Sequence, residues 1–416
     1  MVVLGITHVA EHNASACIIK NGKLVTWVEE ERFLRIKNAP HFFPIHSIKY
    51  CLEKAGVTID KVDRIATSWI PYDYLEESTW GPQATEMGEH TGMGKGFHYV
   101  QENHRFFTEL QAEYHQKMCV ASLTTDLPST SSAPFPLLKL DYWKHHDCHA
   151  MSAIIPSGFK STNFFTCDGE GQTEAGIMGH FIEKSGMTQL GYIDQMSTIG
   201  GFYAAATGFL GFTPHKHEGK VMGLACYGKV NTEAYPLNFH YNKDGLKLPM
   251  LAEWKKFIWK DMDPALRRKI QGNYISEEGT SFAATVQHYF EEMILYNIKR
   301  LNEINPCDNL VLAGGSFLNC TCNGKIAREI PNVWIQPGAA DQGTALGAAI
   351  LSWKDLTGEW PNIKMDTAYL GRSFANGDIE EVLKNKGIEY THTPKPSEIL
   401  AKLIHENNVV GWFQEE

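Results

Sequence analysis

The alternation of apolar and polar residues predicts a strand meander at the start of the chain. Three strands, one helix and a fourth strand are expected, in that order, at residues 2–8, 15–20, 24–33, 44–56 and 62–69. The tripeptide NGK between the second and third strands is a hairpin signal. The helical stretch places its apolar residues three and four positions apart and ends at a glycine.

The same order of elements recurs later in the chain. Three strands, a long helix and then strands alternating with helices are predicted at 163–169, 173–183, 187–193, 281–304, 309–315, from Ser316, 332–337 and 343–353. Two similar meanders indicate a duplicated unit, and the alternation indicates the α/β class. The pattern resembles the duplicated fold of actin, sugar kinases and Hsp70 (ASKHA), in which nucleotide phosphate lies between two lobes. Residues 70–135 lack a clear period, and we interpret them as an insertion that shapes a substrate site.

Length and composition narrow the class of protein. At 416 residues the chain is long enough for at least two lobes, and its 43% hydrophobic and 21% charged residues are typical of a globular protein. No apolar run reaches the roughly 18 residues that a membrane span needs, so no membrane contact is expected. The start of the chain lacks the basic region of a secretory signal, so the cytoplasm is the expected location.

Charge and cysteine usage exclude further classes. The formal net charge of −10 disfavours nucleic acid as a partner, because phosphates are bound through many basic residues. Nine cysteines without a CxxC pair indicate reduced thiols. The CxC at Cys320 and Cys322 is too tight for the usual zinc spacing, so we do not expect a metal there.

The stretch KHHDCHAMSA, residues 144–153, contains three histidines in five positions. If it is helical from about Tyr142, His145 and His149 lie one turn apart on the same face, which is the spacing by which one helix gives two imidazoles to one metal ion. His146 would point a quarter turn away, where it either supports the ligands or contacts a phosphate. For HxxxH alone, two solvated or core histidines are the more frequent outcome, so further ligands are needed.

Two aspartates are placed to supply those ligands. Asp168 ends an apolar strand and is followed by two nearby glycines, and Asp341 stands after a strand at the start of a helix. Each alone is more often a turn or cap residue. Two imidazoles with one or two carboxylates form a ligand set that suits iron(II), zinc or manganese. Such an ion would act as a Lewis acid or anchor phosphate oxygens.

Three other segments are candidates for binding or proton transfer. LVLAGGSFLNC is an apolar strand, a diglycine and a helix start, which either binds an anion or nucleotide or serves only close packing. His12, in the first polar turn, is suited to take a proton from a hydroxyl, and Lys37 to hold a phosphate. TPHKHEGKVMGLACYG, residues 213–228, is a basic loop that could close over a substrate.

Six motifs in this order resemble the NodU/CmcH family of O-carbamoyltransferases. They are HNASACIIKNGKLVTWVEEERF, KHHDCHAMSA, DGEGQTEAG, KVMGLACYG, LAGGSFLNC followed by NG, and QPGAADQGTALGAA, spread over residues 5–349. The resemblance implies an amino-terminal domain similar to the tRNA threonylcarbamoyl-transfer protein, which is actin-like and binds iron(II). Carried over position by position, it implies the metal ligands His145, His149, Asp168 and Asp341, the catalytic His12 and the carbamoyl- or phosphate-binding Lys37. Beside these we name His146, Gly314, Gly315 and Asn319 as further candidates for carbamoyl or phosphate binding, and Glu170 and Lys220 as candidates for acceptor binding.

The resemblance also implies a division of labour between two domains. In the family a carboxy-terminal YrdC-like domain makes carbamoyl-adenylate from carbamoyl phosphate and ATP, and the actin-like domain passes the carbamoyl group to an acceptor hydroxyl. We expect residues 1–365 to form the actin-like domain and residues 366–416 to be only the start of a truncated YrdC-like domain. Adenylate formation by this chain alone is therefore not expected, and Mg²⁺ stays open as a companion of ATP.

Three other functions are alternatives to carbamoyl transfer. Threonylcarbamoyl transfer to tRNA calls for a basic face, which the net charge of −10 does not favour. A kinase of the same fold would use Mg²⁺ and leave HxxxH unexplained. A non-catalytic ligand-binding or scaffold derivative is the third. The expected partner is a small-molecule acceptor with a hydroxyl group, and residues 70–135 are expected to select it. The expected oligomer is a homodimer.

Overall fold

The computed structural model describes two compact units, Met1–Met365 and Asp366–Glu416. The described residues are 1–7, 13–40, 42–68, 140–171, 174–237, 263–271, 273–371 and 373–414. His12 and the predicted insertion at 70–135 lie outside them. None of the described helices is both long and apolar enough to cross a membrane.

The first unit contains two five-stranded sheets of identical topology. The first sheet consists of β1 (Val2–Thr7), β2 (Ser15–Lys20), β3 (Lys23–Glu29), β4 (Arg64–Thr67) and β5 (Leu140–Tyr142). The second consists of β6 (Ser161–Cys167), β7 (Glu174–Ile182), β8 (Gly186–Asp194), β9 (Asn309–Ala313) and β10 (Asn332–Ile335). The orders are β3-β2-β1-β4-β5 and β8-β7-β6-β9-β10, with the first three strands of each antiparallel and the last two parallel to the central one. The predicted duplicated, actin-like α/β fold is confirmed.

Helices connect the strands and cover the sheets. They are α1 (Glu31–Leu34), α2 (Ile45–Ala55), α3 (His145–Ser157), α4 (Ile199–Phe209), α5 (Glu218–Ala225), α6 (Pro264–Ile270), α7 (Glu277–Ile304), α8 (Cys320–Glu329) and α9 (Thr344–Thr357), with α10 (Asn376–Asn385) and α11 (Pro396–His405) in the second unit. Short 3₁₀ turns at Gly315–Leu318 and Asp341–Gly343 precede α8 and α9.

Each half of the first unit sends its last helix onto the sheet of the other half. Helix α3 follows the first sheet in sequence and packs on β6 and β9 of the second, whereas α9 follows the second sheet and packs on β1, β2 and β4 of the first. The two helices also pack on each other, so closely that a Cβ at Gly347 would overlap the carbonyl oxygen of Cys148. The amino-terminal ends of α3 and α9 therefore meet between the sheets.

Several predicted boundaries were wrong, and three of them show why: a side chain caps a helix, or a strand extends further than predicted. The third strand ends at Glu29 and not at residue 33, because the buried Glu30 carboxylate accepts hydrogen bonds from the backbone N–H groups of His46 and Ser47 and so caps α2. Helix α3 begins at His145, since Tyr142 still belongs to β5. Helix α8 begins after Asn319, whose side chain caps it.

The second unit consists of α10, α11 and connecting segments. Neither helix has a buried residue, and apolar side chains such as those of Ile379, Ile404 and Trp412 are exposed. The identification of residues 366–416 with the start of a YrdC-like domain stays a prediction.

Candidate metal centre and adjoining cavity

Four predicted ligands meet where α3 and α9 converge. His145 and His149 come from the first two turns of α3, Asp168 follows β6 directly, and Asp341 begins the 3₁₀ turn before α9. One ligand atom from each lies within 4.8 Å of all the others. Both imidazoles and Asp341 are buried, and the Asp168 side chain is 17% exposed. The cluster is thus closed on the helix side and accessible through Asp168.

The distances within the cluster fit a single metal ion. Nε2 of His149 lies 3.1 Å from Nε2 of His145, 3.2 Å from Oδ2 of Asp168 and 3.4 Å from Oδ1 of Asp341. Ligand atoms that bind one ion at about 2.0–2.2 Å are themselves about 3–3.5 Å apart. One ring nitrogen can present only one hydrogen or one lone pair, so a proton cannot serve all three of these contacts, whereas an ion among them can.

The two carboxylates determine the charge of His149. Burial alone would lower the pKa of this imidazole, but the hydrogen bonds and negative charges of Asp168 and Asp341 outweigh it and raise the pKa to about 9. The carboxylates thus make the site attractive to a cation. A metal ion carries more positive charge than a proton and can bond to more than one of the ligands at once.

Asp168 is fixed by backbone groups on both sides. Oδ1 accepts a hydrogen bond from the Gly169 N–H at 2.7 Å, and Oδ2 accepts one from the Gly315 N–H at 3.1 Å. Gly314 has a φ of +99°, and a Cβ there would overlap the backbone of Cys167. The diglycine therefore allows β9 and the following turn to approach Asp168 closely, in agreement with the packing interpretation of this motif. The Gly315 N–H already donates a hydrogen bond to the Asp168 carboxylate.

His146 braces α3 against the second sheet and does not line the cavity. Its Nε2–H donates to the carbonyl oxygen of Glu174 at 3.0 Å, and its Nδ1 accepts from the Thr166 hydroxyl at 3.0 Å. Burial, followed by the neighbouring His145 and His149, lowers its pKa well below the usual value, which keeps the ring neutral. Since both nitrogens are engaged within the protein, this placement does not support the predicted phosphate contact.

A cavity of about 620 Å³ adjoins the cluster at Asp168. Its polar lining comes from both halves: Asn13, Glu29, Glu31, Lys37, Asn38, Asp168, His215, Lys216, His217, Glu218, Lys220, Ser316, Asn319 and Gln342. Tyr203, Ala204, Met222, Phe290 and Leu318 supply an apolar part. The predicted Lys37, Lys220, Gly315 and Asn319 therefore line one cavity with Asp168, whereas Gly314 and Glu170 are not in its wall.

Several lining residues were not singled out individually in the sequence. Asn13, Asn38 and His215 adopt left-handed backbone conformations, with φ of 63°, 64° and 62°. The Asn38 side chain donates to the His215 carbonyl oxygen at 3.5 Å, which joins the first half to the loop before α5. Asparagine tolerates this conformation better than other side chains, so Asn13 and Asn38 beside candidate residues were the available signal. The 213–228 loop had been predicted as a whole.

A buried amide network supports Asn319. Gln287 of α7 exchanges two hydrogen bonds with the Asn319 amide, at 3.0 and 2.9 Å, and accepts a third from the Tyr203 hydroxyl. Gln287 also donates to Glu291, which pairs with Lys325 at 2.5 Å. The network holds the Asn319 side chain, one of the cavity's polar groups, in one orientation. Sequence spacing gave no sign of it, because Gln287 lies 32 residues before Asn319.

Comparison with known proteins gives the family. Residues 2–350 match the family described as Carbamoyltransferase N-terminus. The match covers most of the chain, so the chain belongs to this carbamoyltransferase family, as its motifs predicted.

Three known proteins are similar in sequence to this chain. An uncharacterized protein of Synechocystis sp. is 32% identical over 97% of this chain and 66% of its own length. The nodulation protein NolNO of Sinorhizobium fredii is 27% identical over 97% of this chain and 56% of its own. A 3'-hydroxymethylcephem-O-carbamoyltransferase of Streptomyces clavuligerus is 26% identical over 47% of this chain and 35% of its own. The chain thus spans less than two thirds of the first two relatives.

Proposed function

We propose that the chain transfers the carbamoyl group of carbamoyl-adenylate to a hydroxyl group of a small-molecule acceptor, such as a natural product. The observation that carries this proposal is the position of Asp168, which belongs both to the buried His/Asp cluster and to the wall of the cavity. A charged donor in that cavity would have its reacting end beside the cluster. Membership of the carbamoyltransferase family and the name of the Streptomyces clavuligerus relative support the reaction class.

In the proposed reaction one bond forms, one bond breaks and one proton is transferred. The acceptor oxygen forms a bond to the carbamoyl carbon, the bond from that carbon to the phosphate oxygen breaks, and AMP leaves with the electron pair. The hydroxyl proton passes to a base, for which His12 is our candidate, although it lies outside the described residues. Lys37 and Lys220 line the same cavity, where their ammonium groups would stabilise the phosphate charge of the departing AMP.

His145, His149, Asp168 and Asp341 would hold one divalent transition metal ion, with iron(II) our first candidate and zinc or manganese the others. When bound, the ion would supply positive charge for an oxygen that becomes more negative during transfer. The protein's own contribution is to hold the two carboxylates and two imidazoles in place and to exclude water, which the burial of α3 and α9 achieves.

Carbamoyl phosphate and ATP enter as the precursors of the donor. Since the proposal concerns the transfer of the carbamoyl group, this step is tested with preformed donor. The full chain is incubated with carbamoyl-adenylate and a panel of hydroxylated compounds, and carbamate products are identified by mass spectrometry.

The variant Lys37→Ala tests the cavity in that assay. We expect the KM for carbamoyl-adenylate to rise about tenfold or more, because a charge-assisted hydrogen bond to phosphate is lost. The matched control is Lys23→Ala, which alters another exposed lysine, in the β2–β3 hairpin and outside the cavity wall. Acceptor binding without turnover of preformed donor would contradict the proposal and favour a non-catalytic derivative. Carbamoylation or threonylcarbamoylation of tRNA alone would favour the transferase acting on RNA.

A further inference from the structure

The backbone that follows Asp341 is fastened to the first sheet by side chains. The carbonyl oxygen of Gln342 accepts two hydrogen bonds, one from the Ser15 hydroxyl at 2.8 Å and one from Nε1–H of Trp27 at 3.1 Å. The Thr344 hydroxyl lies 2.7 Å from the Asp341 carbonyl oxygen and 2.7 Å from the Ser68 hydroxyl. The Gln342 carbonyl is thus held by the first sheet, and the Asp341 carbonyl by Thr344, whose hydroxyl lies beside Ser68.

Packing places Trp27 and Ser15 where they can make these bonds. Trp27 pairs with Cys17 across the β2–β3 ladder, and Ser15, two residues before Cys17, shares its face of the sheet. That face is covered by α9, against which Cys17 packs. The Trp27 ring lies directly against Gly338, since a Cβ at Gly338 would overlap the ring. The indole is therefore held on one side while its N–H points to Gln342.

We propose that Trp27 and Ser15 are positioning residues for Asp341: they hold its backbone so that its carboxylate reaches His145 and His149. The inference rests on the proposed function, because the consequence of this placement is a metal site. Neither residue lines the cavity, so neither is proposed to contact donor or acceptor.

The physical argument is one of preorganisation. Two donors use both lone pairs of the Gln342 oxygen and so restrict the rotation of that peptide group. With the preceding peptide group, between Asp341 and Gln342, held by the Thr344 hydroxyl, the backbone that carries the Asp341 carboxylate has little freedom to move away from the cluster. His149 lies 3.4 Å from Asp341 Oδ1, so a shift of an ångström would break the ligand geometry. Groups that orient metal ligands typically change metal affinity about 10- to 100-fold when they are removed.

The test uses Trp27→Phe, which removes the N–H and retains a ring against Gly338, and Ser15→Ala as a second, smaller change. The control is Trp360→Phe, because the indole N–H of Trp360 likewise donates to a backbone carbonyl, that of Glu183, at 3.0 Å. Each full-length chain is titrated anaerobically with cobalt(II), whose visible absorption reports ligand geometry, and with iron(II). Thermal unfolding of each metal-free chain checks that it folds.

We expect Trp27→Phe and Ser15→Ala to weaken metal binding about tenfold and to change the cobalt(II) spectrum, and Trp360→Phe to do neither. Affinity and spectrum unchanged in both folded variants would overturn the inference while leaving the metal site intact. If Trp27→Phe does not fold, Ser15→Ala decides. Failure of the unaltered chain to bind either metal would overturn the site itself, and the positioning role with it.

Discussion

The two halves of the first unit share a strand order and differ in how they present ligands. In the first half, the helix that crosses to the opposite sheet, α3, carries two ligands itself, and His146 ties it to Thr166 and Glu174 of the second sheet. In the second half, the ligand Asp341 precedes α9 in a 3₁₀ turn, and Trp27 and Ser15 tie that turn to the first sheet.

This difference shows what duplication of a fold provides. It brings the amino-terminal ends of α3 and α9 together, because each helix packs on the other half's sheet. The chemistry at those ends is not duplicated: one end supplies imidazoles and the other a carboxylate. Each end is held by its own hydrogen bonds to the opposite sheet. The comparison can be tested at the contact between the helices and then at each brace.

The largest effect is expected where α3 and α9 touch. Gly347→Ala should lower the free energy of unfolding by about 3 kcal/mol, since the added Cβ would overlap the Cys148 carbonyl oxygen and force the helices apart. Gly324→Ala in α8 is the control, because nothing lies within 4 Å of a Cβ there, and helix propensity predicts a small gain in stability. Chemical denaturation measures both. Equal effects of the two substitutions would show that the helices do not pack this closely.

The second-largest effect is expected when the hydrogen bonds of His146 to the second sheet are removed. His146→Leu leaves the buried Thr166 hydroxyl and Glu174 carbonyl without the imidazole, and should cost about 2 kcal/mol of stability. It should also weaken metal binding several-fold, because His145 and His149 flank the lost brace. His180→Leu on β7 removes an imidazole hydrogen-bonded to Asn305, away from the cluster, and should leave metal affinity unchanged. A loss of affinity in both variants would argue against a specific brace.

The smallest effect depends on pH. Burial raises the pKa of the Glu174 carboxyl from 4.5 to about 7, so the native state holds a proton that the unfolded state releases. Native stability should therefore fall as the pH rises from about 4.5 to 7. Glu174→Gln should remove this dependence and stabilise the protein at pH 8 by roughly 2 kcal/mol, with little effect at pH 4.

The control for this prediction is Glu183→Gln, at an exposed position just after β7. Denaturation at the two pH values compares the variants. A Glu174→Gln chain whose stability follows the same pH dependence as the unaltered chain would mean that another group is responsible.

Much of the site could be predicted from sequence because its signals are local. The i, i+4 spacing of His145 and His149 places both on one helix face, and Asp168 and Asp341 stand at strand and helix ends, where parallel strands gather polar groups. The duplication of the fold followed from the repeated meander. Each of these inferences needs only neighbouring residues or a recurring pattern.

The rest depended on contacts between distant segments. His146 was expected either to support the ligands or to contact a phosphate, and its direction is decided by β6 and β7, some 20 and 28 residues away. Glu30 ended a predicted strand because it caps a helix 15 residues further on. Trp27 was visible in a motif, yet its bond to Gln342 spans 315 residues. Periodicity carries no information about such pairings.

The central claim, a metal ion held by both halves, is tested most directly by metal content. The chain is purified anaerobically, reconstituted with iron(II) and analysed for its elements beside His149→Ala and the control His288→Ala, which alters a histidine of α7 that belongs to no cluster of described ligands. We expect a stoichiometric transition metal in the unaltered chain and in His288→Ala, and its loss in His149→Ala. No metal in the reconstituted chain, or the same content in His149→Ala, would contradict the account.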